Sequence, residues 1–208
     1  GKFKVLHQIR PLRIQYILEN IESTTLDGLD VLDVGCGGGL VSESLAKLGA
    51  NVTAIDFVEN NIKVAKKHSQ KSKLKINYIC SDIENHKFSK KYDLIILFEV
   101  LEHLESWKDF IYKIKNNLKK NGKIIISTIN RNVISKIATI YIGEKIIKWI
   151  PEGTHDFNKY IKPEEIEEYI FKCKLKFEKL KGYVFNPIDA SWHLSENTSI
   201  NYFCTIKN

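Results

Sequence analysis

Two short strings hold most of the residues able to do chemistry. The first is Asp33-Val34-Gly35-Cys36-Gly37-Gly38-Gly39; the second is Phe98-Glu99-Val100-Leu101-Glu102-His103. In the first, glycines permit positive φ and let a ligand approach the backbone. Asp56 follows Gly35 by 21 residues, where an acidic side chain can accept hydrogen bonds from ribose hydroxyls. A glycine turn alone also serves as a plain tight turn. Two carboxylates at this spacing favour an adenosine-containing cofactor instead. The dinucleotide pattern Gly-x-Gly-x-x-Gly fails at Leu40, which argues against NAD, and no Gly-Lys-Ser/Thr follows, so this is not an ATP phosphate loop. A carboxylate at Asp33 would repel a pyrophosphate but suits a sulfonium or an amine. S-adenosylmethionine (SAM), with S-adenosylhomocysteine as by-product, is the expected cofactor, with Asp33, Gly35, Gly37 and Asp56 at its site.

In the second string, two carboxylates and an imidazole lie within five residues. They suit a divalent cation or a general base. The spacing i, i+3 and i, i+4 would put Glu99, Glu102 and His103 on one side of a helical turn. Acidic residues on a solvated helix start would look the same in isolation.

These strings need a scaffold. Leu29–Val34, Asn51–Asp56, Leu74–Ile79, Tyr92–Phe98 and Lys123–Ile129 read as strands, the last two as nearly continuous apolar runs. Helices are expected over 11–22 (Pro11 at the first turn), 40–48 (stopped by Gly49), 59–68, Ser106 to Leu118 (ended by Asn121-Gly122) and 163–173. Alternation of strand and helix calls for a parallel sheet covered on both faces. After Ile129 the alternation breaks. Segment 133–150 is apolar and basic, and 175–184 and 199–206 read as late strands, close enough to pair antiparallel.

The chain has 208 residues, 43% hydrophobic and 27% charged, which excludes a disordered tail and a disulfide-stapled miniprotein. One domain spanning 1–208, with an insertion at about 133–160, is expected. The net charge is +7, but only Arg10, Arg13 and Arg131 are arginines, so nucleic acid is not an expected partner; the Ile and Asn content points to AT-rich coding. Cys36, Cys80, Cys173 and Cys204 form no Cys-x-x-Cys unit. No apolar run is long enough to cross a membrane. The sequence starts at Gly1 and lacks Met, so the natural N-terminus is expected to lie upstream.

VLDVGCGGGLVSESLAKLGANVTAID at 31–56, with FEVLEHL at 98–104, resembles SAM-dependent methyltransferases. FKVLHQIRPLRIQYI at 3–17, STINRN at 127–132, PEGTHDFNKYIKPEEI at 151–166 and YVFNPI with WHLSENTSINYF within 183–203 narrow the resemblance to the ubiquinone-biosynthesis O-methyltransferase family. The resemblance covers nearly the whole chain. It implies a Rossmann-like α/β fold with a seven-stranded, mostly parallel sheet, antiparallel last strand and helices on both faces. It implies methyl transfer from SAM to ring hydroxyls of polyprenylated catechol and demethylubiquinol intermediates. Cofactor contacts fall on Arg13 (methionyl carboxylate), Gly35, Asp56 (ribose) and Phe98 (beside the adenosine).

The mitochondrial branch of that family binds Mg2+ or another divalent cation through a pattern matched by Glu99, Glu102 and His103; His103 is alternatively a base. Family chains begin earlier, with a helix carrying a Trp-Trp pair that this sequence lacks. The substrate's tail implies a peripheral enzyme on the cytoplasmic face of a bacterial inner membrane or the matrix face of a mitochondrial one, working beside other ubiquinone-biosynthesis proteins. Segment 133–150, with isoleucines, Trp149 and interspersed lysines, is the expected contact with an anionic surface. His155 and Asp156 are expected to organise their loop. Trp192 and His193 either frame the substrate mouth or pack. The alternatives are a methyltransferase acting on N or C, and a non-catalytic SAM-binding scaffold; the intact Glu99, Glu102 and His103 favour chemistry.

Overall fold

Buried runs of Ile, Leu and Val set the framework. The computed structural model describes residues 4–137 and 156–208. β1 (Asp30–Val34), β2 (Asn51–Asp56), β3 (Asn77–Cys80), β4 (Tyr92–Phe98) and β5 (Leu118–Ile129) pair in parallel, and β6 (Lys176–Asn186), β7 (Ser191–Ser195) and β8 (Asn201–Lys207) join antiparallel, in the order β3-β2-β1-β4-β5-β8-β6-β7. Leu94, Ile95, Ile96 and Leu97 of β4 are all fully buried, as a strand covered on both faces requires.

Side chains alternate between two cores, because successive strand residues point to opposite faces. Leu32, Val34, Ile95 and Leu97 pack with α4 (Trp107–Ile114) and α6 (Pro163–Lys172). Val31, Leu94, Ile96 and Phe98 pack with α1 (Lys4–Ile21), α2 (Leu40–Lys47) and α3 (Glu59–Lys71). The strand order reverses between β1 and β4, whose carboxyl ends therefore flank a crevice. Register pairs Val34 with both Ile55 and Leu97, so the chain leaves β1, β2 and β4 at one level.

Four expectations are corrected. The sheet has eight strands among the described residues, not seven. The addition, β7, is a half-buried edge strand paired with β6; Trp192 and Leu194 alternate with polar residues and pack on the α1–α3 core, but the run is only five residues long and does not stand out in the sequence. Both β7 and β8 run against the parallel set, with β6 between them in space. Helix α1 starts at Lys4 and Pro11 lies inside it. Its first turns bury Ile9 but expose Leu6, which hides the helical period there. Helix α4 stops at Ile114, followed by a 3-10 turn over Lys115–Asn117. Asn121 sits inside β5 with φ 64°, beside the irregular β4–β5 register between Tyr92 and Leu94. That residue therefore marks a bulge rather than a helix end.

Ser106 caps α4, accepting a hydrogen bond from the Asp109 amide at 3.3 Å. Helix α5 (Val133–Lys136) begins with a reciprocal cap between Asn132 and Ser135. The rest of the segment 133–150, from residue 138 on, and His155 lie outside the described residues. Asp156 does organise a turn, accepting from the Asn158 amide at 3.0 Å.

Candidate active site

The cavity sits at the β1–β4 crevice. It holds about 760 Å³ and is lined by Gly35, Asp56, Phe57, Asp82, Glu99 and His103, among others. That volume is ordinary for a small-molecule or cofactor pocket. A larger, shallower groove of about 1170 Å³ lies between α1 and α2, lined by Pro11, Ile14 and Leu18; none of the paired carboxylates of the two strings borders it.

The glycine loop is fastened by main-chain bonds. Asp56 accepts from the Gly37 amide at 2.8 Å, the Val58 amide at 2.8 Å and Asn61 Nδ2 at 3.2 Å. A carboxylate offers about four lone-pair sites, so one acceptor position is left for a ligand hydroxyl. Gly35 has φ +70°, and a Cβ there would meet Val100 Cγ2 at 2.6 Å. Only glycine brings the loop this close to the residue after Glu99. Asp33 does not line the cavity. It is buried beneath the loop, accepts from Ser42 Oγ at 2.5 Å and ties α2 to β1. Burial pushes its carboxyl up to about 6, against the opposing pull of Ser42 and Arg13.

Arg13 reaches the site from α1. It is 7% exposed, its guanidinium lies 5.0 Å over the Phe98 ring, and its Nη2 is 3.8 Å from Glu99 Oε1. Its Nε is buried with no hydrogen-bond partner. A buried cation so poorly satisfied is costly unless an anion completes it. Phe98 meanwhile packs edge-on against Phe203, with ring centroids 5.7 Å apart.

Glu99 has φ 54°, a left-handed conformation that costs a non-glycine residue about 1–3 kcal/mol. The three residues of the second string therefore do not share one helical face; only Leu101–His103 form a single 3-10 turn. Glu99 Oε1 accepts from Ser127 Oγ at 2.7 Å and Tyr183 Oη at 2.9 Å. Glu102 turns inward, 5% exposed, and accepts from Thr128 Oγ1 at 3.0 Å. Burial, and then the charge of Glu99, push its carboxyl well above the usual range. Tyr183 is held well above the normal phenol range by burial and by the same charge, and so stays a donor. His103 lines the cavity. Among the described residues no three His, Cys, Asp or Glu side chains are placed to hold a metal ion. Glu99, Glu102 and His103 as arranged do not fit one: Glu102 would have to leave Thr128.

The β6–β7 hairpin carries a Ser-His-Asp set that is not a triad. Ser191 Oγ and Asp189 Oδ2 both contact His193 Nε2, at 2.6 and 3.0 Å. A relay would need the two partners on different ring nitrogens. Trp192 packs on Tyr183 and Phe185.

A family profile described as a methyltransferase domain matches residues 32–126. A ubiquinone biosynthesis O-methyltransferase of Rickettsia felis is 42% identical over 205 residues, covering 98% of this chain and 84% of that protein. One of Pelagibacter ubique is 43% identical over 217 residues, covering 100% of this chain and 90% of that protein. The chain belongs to the ubiquinone biosynthesis O-methyltransferase family.

The fold of this methyltransferase is shared more widely. The magnesium protoporphyrin IX methyltransferase of Synechocystis, solved with S-adenosylhomocysteine, superposes with a TM-score of 0.72 at 19% identity over 100% of this chain and 85% of that one. Four residues of the site escaped the sequence reading. Phe57 and Asp82 lie just past the ends of β2 and β3, where the rule placing ligands at strand carboxyl ends would have found them. Ser127 is aligned with Phe98 by the β4–β5 register. Tyr183, 84 residues from Glu99, carried no local signal.

Proposed function

We propose that this chain transfers the methyl group of SAM to a ring hydroxyl of a polyprenylated catechol or demethylubiquinol, as its family membership suggests. The observation that carries the reading is Arg13: a buried guanidinium with an unsatisfied Nε, 3.8 Å from Glu99, which lines the cavity together with His103. The methionyl carboxylate gives Arg13 a second anion beside Glu99, which approaches only to 3.8 Å. Asp56 has one acceptor position left for a ribose hydroxyl, and Asp82 and Phe57 border the space for the base.

SAM supplies the electrophile, so the protein's work is alignment and proton removal. A phenol of pKa ~10 is mostly neutral near pH 7. Its oxygen attacks the methyl carbon in line, the C–S bonding pair goes to sulfur, and the phenolic proton passes to His103. Glu99 accepts a hydrogen bond from the neighbouring hydroxyl and fixes the ring.

The test is methyl transfer from labelled SAM to short-chain catechols. O-methylated catechol is expected; methyl transfer only to amines or carbon acids would overturn the reading.

The tail of such a substrate places the enzyme at a bilayer. None of the described helices is long and apolar enough to cross one. Val133, Ile134 and Ile137, just past the cavity end of β5, are 70%, 58% and 49% exposed, which supports a peripheral contact with an anionic surface through the segment that begins there. Flotation with anionic liposomes is expected for the wild type and should fall in an Ile134→Glu, Ile137→Glu variant; equal flotation would remove this segment from the contact.

A further inference from the structure

We infer that Tyr183, seconded by Ser127, is a positioning residue that sets the orientation of the Glu99 carboxylate toward the methyl acceptor. This rests on the catechol reading above and goes beyond it by assigning a role to a residue outside the cavity.

A glutamate side chain has three rotatable bonds and would sample several orientations at a cavity wall. Glu99 does not have that freedom. Oε1 accepts from Ser127 Oγ on β5 at 2.7 Å and from Tyr183 Oη on β6 at 2.9 Å. Two donors from different strands fix both the place of that oxygen and the plane of the carboxylate. The Glu99 side chain nevertheless keeps 29% of its surface exposed and lines the cavity, so the orientation is presented to a ligand rather than buried.

Tyr183 is itself rigid. It is 3% exposed, with the Phe203 ring 4.5 Å away and the Trp192 ring 5.7 Å away. The Phe203 ring also stacks on Tyr16 of α1 at 4.6 Å and meets Phe98 at 5.7 Å. The donor to Glu99 is thus mounted on the same aromatic cluster as Phe98, over which Arg13 lies. Movement of the Tyr183 hydroxyl relative to Phe98 and Arg13 is blocked by packing. A tyrosine hydroxyl that merely found a partner on burial would need neither a cavity-facing acceptor nor a second donor on the same oxygen.

The experiment is a double-mutant cycle. Tyr183→Phe keeps the ring and removes the donor. Turnover number on a short-chain catechol should fall on the order of 10- to 100-fold, as for small misplacements of a reacting group, with SAM affinity unchanged by calorimetry. Placed on Glu99→Ala, the same change should alter turnover by no more than about twofold, because the acceptor it acts through is gone. Ser127→Ala should show the same pattern and carries the test if Tyr183→Phe does not fold. Wild-type turnover in Tyr183→Phe, or an equal loss with Glu99 intact and replaced, overturns the role while leaving the catechol reading standing. A wild type that binds SAM but methylates no catechol overturns the reading and this role together.

Discussion

The wall of the cavity from Gly35 to Phe57 comes from one continuous stretch of chain, and main-chain amides hold it: Gly37 and Val58 both donate to Asp56. The opposite wall is gathered from afar. Glu99 follows β4, its donors Ser127 and Tyr183 come from β5 and β6, and its nearest cation, Arg13, comes from α1. Backbone-held sites depend on local conformation and on glycine. Side-chain-held sites depend on packing between distant elements. The first wall is expected to govern whether the cofactor binds, and the second whether the bound acceptor reacts.

The most damaging test of that division is Gly35→Ala. A left-handed φ costs a non-glycine residue about 1–3 kcal/mol, and crowding Val100 adds about 1–3 more. SAM affinity should fall by roughly 2–6 kcal/mol in a protein that still shows native circular dichroism. Unchanged affinity in calorimetry would mean the loop is not the binding wall.

Arg13→Met sharpens the boundary, since Arg13 pairs with Glu99 of the second wall and yet is proposed to hold the cofactor. Losing one charge-assisted partner should weaken SAM binding by about 1.5–3 kcal/mol. Decarboxylated SAM should bind wild type and variant alike. An equal loss for both ligands would assign Arg13 to holding Glu99 rather than the methionyl carboxylate.

The smallest effect concerns Asp33, with its carboxyl at about 6. A raised folded value means the folded apo-protein holds this proton more tightly than the unfolded chain. Its contribution to stability is therefore present at low pH and lost as pH rises from about 4 through 6. Asp33→Asn should raise the melting temperature of the apo-protein at pH 7. A bound sulfonium favours the ionised form, so SAM affinity should increase with pH through that window, by about tenfold for each unit the carboxyl is drawn down. A flat pH profile in the wild type would show that no cofactor charge reaches Asp33.

The division also explains what could be read from sequence. The glycine loop, Asp56 and the five parallel strands were legible because each is a local signal: a spacing, a β-branched run, a strand end. Glu99 was legible as a residue but not as a conformation. Its positive φ follows from chain reversal after β4, which spacing arithmetic treats as a helical turn. Tyr183 was not legible, because the hydrogen bond that gives it meaning spans 84 residues. Edge strand β7 is hidden for a different reason: its alternation, with Trp192 and Leu194 on the core side, spans only five residues.

One contact between the beginning and the end of the chain has a consequence in time. Tyr16 Oη lies 3.0 Å from Thr205 Oγ1, 189 residues away in sequence, and the same tyrosine stacks on Phe203. Contacts of such separation form late in folding, since closing a long loop must precede any reward from it. The glycine loop, β1 and β2 are local and can order early. Arg13 and Tyr183 come into place only when α1 docks on β8. A chain that has not yet closed this contact holds an ordered nucleotide-binding turn without its reacting wall, and local opening of α1 from the native state would return it to that condition.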